Sequence, residues 1–330
     1  MNYRKFGKTD LMVSEIGFGS WAIGGGAKVG DVPIGWGVAD DTVSEKAIHA
    51  ALDAGINFFD TADFYGLGHS EKLLGNILND KPDVIIATKV GHRNINETIV
   101  ADYSKQYILQ ACEQSLIRLK RDVIDYYQLH SARLLHLQAG ECIEAMDFLK
   151  QQGKIKYWGL SLNTFNPAPE AEFMINKKTG DGFQLVYNLI NQRAYPVMKS
   201  AAKSGYGIIA RMPLQFGLLT GKLTSVTKFA DSDHRRFRLT RRIMDQSLKI
   251  LNEKVWPVAD KSKMNKTTLA LNFVLSCKEV STVIPGIRTA DHVAQNTMGI
   301  EQLKDDDFKL LLQLANEDWK PVLELMEEQG

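Results

Sequence analysis

No stretch of the sequence approaches the roughly 18 unbroken apolar residues that a helical membrane span requires, so such a span is not expected. Cysteine is scarce. Cys112, Cys142 and Cys277 are the only three, far apart and without CxxC spacing, which argues against a disulfide framework or a zinc ribbon and predicts a reducing compartment, the cytoplasm. Neither sign of charge is in excess. With 40 Lys and Arg against 39 Asp and Glu, no net field favours nucleic acid or an acidic membrane surface, so neither partner is expected. The local basic run "HRRFRLTRR" (234 to 242) reads as a solvated face. The first residues lack a continuous apolar core of the secretory kind, and no signal peptide is read there. His49, His69, His136 and His234 lack ligand-like spacing, so no metal site is predicted.

What is there is alternation. Eight apolar runs too short for helices recur between amphipathic windows: 15 to 21, 57 to 63, 83 to 91, 122 to 130, 156 to 162, 183 to 190, 207 to 214 and 281 to 286. The windows carry helix signals, among them a capping box from Thr42 to Glu45 and a glycine after "DA" before "INFF". Each parallel strand needs a crossover helix, so eight repeats predict a closed (β/α)8 barrel, a single domain over residues 1 to 330. An opening β-hairpin precedes it ("YRKFGKTDLMV") and one extra helix follows it. Residues 215 to 264 are too long for an ordinary connection and are read as a loop insertion at the functional face. A doubly wound open sheet fits the same alternation, and Gly17, Gly19 and Ala22 formally match its dinucleotide fingerprint. That fingerprint must open a helix, whereas the glycine-rich "WAIGGGAKVGDVPIGWG" follows.

Active groups of such barrels gather at the carboxyl ends of the strands. There the second strand offers Asp60 with Tyr65 just beyond it, the third Lys89 and the fourth His130. A buried lysine or histidine is costly without a partner. A structural ion pair between Asp60 and Lys89, a core imidazole and a packing tyrosine are the bland readings of each residue alone. Together, an acid, a base and an imidazole on three neighbouring strands read as one site.

The segments "GINFFDTADFYG", "ATKVG", "DYYQLH", "GLS", "FQLVYN", "PLQFGLLTGK" and "VIPGIR" resemble the aldo-keto reductases in order and spacing, from about Tyr3 to Asn296. The resemblance implies a (β/α)8 barrel using NADPH, with NADH as the other candidate, and Tyr65 as proton donor to a carbonyl that receives hydride. The chemistry agrees. Tyrosine, with an ordinary pKa of about 10, is a weak acid near neutrality, and an ammonium beside a phenol stabilises the phenolate. Asp60 would hold Lys89 charged, and a neutral His130 would orient the carbonyl. Asp63 and Thr61 are read as loop-forming.

For the cofactor, the resemblance implies Ser161, Asn163 and Gln184 at the nicotinamide amide. It places Arg211 where many members stack a tyrosine on the ring, and "PLQFGLLTGK", with Leu214, Gly217 and Lys222, along the pyrophosphate. Gln295 and Asn296 match adenine contacts. Gly286-Ile287 stands where many members carry Lys-Ser, and His292 replaces a common arginine, leaving Arg288 as the candidate for a ribose 2′-phosphate. Trp21, Phe64 and Trp36 are read as walls of the substrate pocket. The expected partner is a small carbonyl or sugar, and the chain a monomer or small homo-oligomer. Two other readings remain open at this point: a Schiff-base aldolase using Lys89, and a regulatory protein that senses the cofactor.

Overall fold

The structure, a computed structural model, describes residues 1–35, 37, 39–230, 233 and 235–329. Trp36 and His234 lie outside the described residues. The eight expected strands form one all-parallel sheet: β1 (Phe18–Gly19), β2 (Phe58–Asp60), β3 (Ile85–Val90), β4 (Ile124–His130), β5 (Ile155–Ser161), β6 (Gly182–Val186), β7 (Gly207–Arg211) and β8 (Thr282–Ile284). Each strand pairs with its successor. Parallel bridges Ile16 to Val283 and Gly19 to Gly286 then join β1 to β8 and close the barrel. This closure explains the early glycines. A Cβ on Gly19 would lie 2.8 Å from the Pro285 carbonyl oxygen, so the G-x-G serves strand packing rather than a phosphate loop. After Gly19 the chain makes a single 3-10 turn, Trp21–Ile23, and no fingerprint helix.

The crossover helices are α1 (Asp41–Asp53), α2 (His69–Leu78), α3 (Lys105–Leu119), α4 (Glu141–Gln151), α5 (Ala168–Lys177), α6 (Tyr195–Lys203), α7 (Lys266–Ser276) and α8 (Ala290–Thr297). The cap of α1 differs from the expected Thr42 box. Asp40, in extended backbone, accepts from the Val43 N–H, because the helix starts earlier than the apolar periodicity shows. The expected extra helix is a pair, α9 (Asp305–Glu317) and α10 (Lys320–Glu328), and Trp319, Val322, Leu323 and Met326 are buried beneath it. α7 is apolar on nearly every side because α8 and α9 cover what a lone barrel helix would expose. Residues 215–264 contain a 3-10 turn, Gln215–Thr220, and a helix Arg241–Ile250 that runs through one π turn into Trp256–Lys261. None of the described helices is long and apolar enough to cross a membrane.

Strand side chains alternate between the barrel interior and the helices. The interior is filled in layers. The hairpin strands Tyr3–Lys5 and Met12–Ser14 carry Phe6, Leu11 and Val13 against Phe58, Ile85, Ala87, Tyr126, Ile209 and Ile284, plugging one end. Two residues further along the inward-facing register come Asp60, Lys89, Gln128 and Arg211, one step from Phe58, Ala87, Tyr126 and Ile209. Polar chemistry therefore begins where the apolar plug ends.

Candidate active site

Lys89 is fully buried, and its ammonium is satisfied three times. Nζ donates to Asp60 Oδ2 at 2.6 Å, to the Thr61 carbonyl at 2.8 Å and to the Tyr65 hydroxyl at 3.1 Å. The ammonium also lies 4.7 Å from the Tyr65 ring centroid. Burial acts to discharge Lys89, but the Asp60 carboxylate and Tyr65 outweigh it and hold the lysine pKa above its usual value. The other Asp60 oxygen accepts from Gln184 Nε2 at 2.7 Å and Gln128 Nε2 at 3.1 Å. Gln128, which faces inward on β4 two residues before His130, is a site residue that sequence reasoning missed. A lone glutamine in an apolar strand carries no partner information.

His130 closes β4 beside Tyr65, with ring centroids 6.0 Å apart and edge to face. Burial, then the neighbouring His92 and the charges of Lys89 and Arg211, push its pKa well below the usual histidine value, so the ring is neutral at pH 7. Its Nδ1 is buried without a hydrogen-bond partner. His92, also absent from the sequence reading, packs against it at 4.7 Å. Trp21 lies 6.3 Å from the Tyr65 ring and Phe64 lies 5.8 Å from His92, so both expected wall residues reach the site.

Behind the tyrosine loop, hydroxyls link Thr61 to Ser70 (2.8 Å) and Ser70 to Ser20 (2.9 Å). Asp63 bonds the Phe64 backbone of its own loop, while its Oδ1 is buried and unpartnered. Burial first, then repulsion from Glu71, raise its pKa well above the carboxylate range, with Arg118 and the Phe64 backbone acting the other way. In the unfolded chain this acid ionises near pH 4 (about 3.9). Above that pH the native state holds the extra proton, so stability falls as pH rises toward the native pKa. Asp63→Asn should therefore gain on the wild type as pH rises from about 4 toward the native pKa, in urea unfolding series at several pH values.

A cleft opens beside these groups, lined by Trp21, Thr164, Phe165, Arg211, Phe216 and Met326 among others. Met326 belongs to α10, far along the chain from any strand end. Arg211, at the end of β7, donates from one terminal nitrogen to the Leu162 carbonyl (3.2 Å) and Thr164 Oγ1 (3.1 Å), while its Nε is buried without a partner. Past β7, Met212, Gln215 and Phe216 adopt positive φ of 55°, 42° and 54°, a conformation costing about 1 kcal/mol or more each. Asn188 holds this turn, donating to the Met212 carbonyl and Gln215 Oε1, each at 2.9 Å.

This arrangement of strands and ion pair sits in a chain whose residues 15–316 match the aldo/keto reductase family model. The chain belongs to that family. The uncharacterized oxidoreductase YqkF of Bacillus subtilis (strain 168) is 28% identical to it over 323 residues, covering 96% of this chain and 98% of that protein. The holo form of the aldo-keto reductase AKR11C1 from Bacillus halodurans superposes with a TM-score of 0.78 at 28% identity, covering 96% of each chain. For the glycerol dehydrogenase AKR11B4 from Gluconobacter oxydans the TM-score is 0.80 at 28% identity, covering 97% of each chain. Aldo/keto reductases are oxidoreductases that use nicotinamide cofactors and act on small carbonyl compounds.

In this aldo/keto reductase the residues assigned above to the cofactor fall into two groups. Ser161 and Gln184 are buried neighbours in register on β5 and β6. Gln184 already donates to Asp60 and, at 3.2 Å, to Gln128 Oε1, which leaves its carbonyl oxygen as the group it can offer. Asn163 closes a turn, its Oδ1 accepting from the Phe165 and Asn166 N–H groups at 3.0 and 2.8 Å. Leu214 caps the 3-10 turn, and the Gly217 N–H donates to the Leu214 carbonyl at 2.9 Å. The second group lies around α8. Lys222 Nζ donates to Gln295 Oε1 at 3.1 Å, and Asn296 Nδ2 is buried without a partner. The Arg288 N–H donates to His292 Nδ1 at 3.3 Å. Burial, Lys222 and Arg288 lower the His292 pKa, so these cations gather at one place.

Proposed function

We propose that this enzyme reduces a small aldehyde, ketone or sugar hemiacetal with NADPH, Tyr65 delivering the proton. The observation that carries the reading is the single buried ammonium that bonds both Asp60 and Tyr65. The residues fit a dinucleotide: the orphaned buried amide of Asn296 calls for an acceptor, and the cations Lys222 and Arg288 call for phosphate. Ser161, the Gln184 carbonyl, Asn163 and Arg211 would line the nicotinamide, Leu214, Gly217 and Lys222 the pyrophosphate, and Arg288 the 2′-phosphate.

The nicotinamide supplies hydride. As negative charge develops on the carbonyl oxygen, Tyr65 transfers its phenolic proton to it. Lys89 stabilises the phenolate left behind, at 3.1 Å and without solvent between. Asp60, held by Gln128 and Gln184, keeps Lys89 charged and aimed. Neutral His130 donates a hydrogen bond that orients the carbonyl. Trp21 and Phe64 wall the pocket. In the reverse direction the same phenolate accepts the alcohol proton.

The aldolase reading needs Lys89 as a free amine. A lysine with three acceptors and a raised pKa is held in the opposite state. The sensor reading predicts tight nucleotide binding without turnover. Fluorescence titration with NADPH and NADH, followed by absorbance of the reduced nicotinamide with a carbonyl panel, tests the proposal. Binding of neither nucleotide would refute it. Arg288→Ala should weaken NADPH binding about ten- to hundredfold, the worth of a charge-assisted contact, and leave NADH affinity unchanged. An equal loss for both nucleotides would move the 2′-phosphate elsewhere.

A further inference from the structure

His92 has no assigned role, yet the fold places it with care. It opens a hairpin, His92–Ile95 with Thr98–Ala101, directly after β3. Gly91 turns the chain there at φ +138°, pressed so closely by Tyr103 that a Cβ would lie 2.3 Å from the ring. Two tyrosines then fix the two histidine backbones: Tyr103 donates to the His130 carbonyl at 2.5 Å and Tyr107 to the His92 carbonyl at 3.3 Å. The rings meet edge to face at 4.7 Å, and Phe64 lies 5.8 Å from His92. Among the described residues no hydrogen bond engages the ring nitrogens of His92. Burial lowers its pKa, so like His130 it is a neutral ring with one donor and one acceptor.

Two adjacent neutral imidazoles without ring hydrogen bonds, one of them, His130, edge to face with the proton donor Tyr65, match two oxygens on adjacent carbons. We propose that His92 is a second substrate-facing imidazole, which hydrogen-bonds a hydroxyl next to the reacting carbonyl and so selects α-hydroxy carbonyl compounds over plain ones. The inference rests on the reductase reading, with His130 at the carbonyl oxygen. A ring that only packed against His130 would affect all substrates alike.

The test compares kcat/KM for glycolaldehyde and propanal, which differ by a hydroxyl in place of a methyl. The wild type should prefer glycolaldehyde. His92→Phe, which keeps a flat ring against His130 and Phe64, should lower the glycolaldehyde-to-propanal ratio about tenfold, the worth of one hydrogen bond. His92→Gln, with a donor and an acceptor, should restore most of it. A proportional fall for both substrates, an unchanged ratio, or no recovery in His92→Gln overturns the proposal while leaving the reductase reading intact. No turnover of either compound by the wild type overturns the proposal, and no turnover of any member of the carbonyl panel with either nucleotide overturns the reductase reading as well.

Discussion

Tyr65→Phe should give a folded protein that binds nucleotide as the wild type does and scarcely turns over. The ring stays, and with it the contacts to Trp21, His130 and the Lys89 ammonium. What goes is the one acidic proton in line with that ammonium. General acid catalysis by a positioned group contributes about 100- to 10,000-fold, so kcat should fall by about that much. Single-turnover absorbance at the reduced-nicotinamide band separates chemistry from binding. A variant that keeps more than about a tenth of the wild-type rate would exclude Tyr65 as the donor.

Lys89→Met should cost both activity and stability. Methionine fills much of the same space but leaves the Asp60 carboxylate buried beside Gln128 and Gln184 with its cation gone. Breaking a buried pair from one side costs about 3–5 kcal/mol, whereas replacing both members with neutral groups is often close to neutral. Urea denaturation should therefore find Lys89→Met severely destabilised and Asp60→Asn with Lys89→Met substantially recovered, though both lack turnover. An additive loss in the double variant would mean that the two charges do not act as a pair. The sign of the pH dependence follows from the raised lysine pKa. The stabilisation is complete below the unfolded value, about 10.4, and is lost as pH rises through the folded one. The double variant should lack that alkaline loss.

The barrel was legible because its signal is local and repeated. Apolar runs of strand length alternate with helical windows, and each of the eight runs contains an observed strand or most of one. Asp60, Lys89 and His130 stood out because an ionisable residue closing an apolar strand is costly unless partnered. Gly17 and Gly19 formally matched a phosphate fingerprint that the glycine-rich stretch after them argued against, and the chain opens no helix there. A motif of small residues records close approach, and sequence alone does not say whether a phosphate or another strand approaches. The Thr42 box and the single C-terminal helix were boundary errors, where periodicity is weakest.

The sequence by itself determined the order and phase of the strands, and with them which ionisable groups point into the barrel mouth, since a period of two leaves each side chain one choice of face. Only the tertiary structure decided which groups meet there. Gln128 and Gln184 converge on Asp60 across 68 and 124 residues of chain. Met326 reaches the cleft from a helix beyond the barrel, and His92 returns to His130 through a hairpin turn at one glycine. These contacts depend on closure of the sheet and on loop dihedrals held by distant partners, as Asn188 holds Gln215, and no local periodicity encodes such distances.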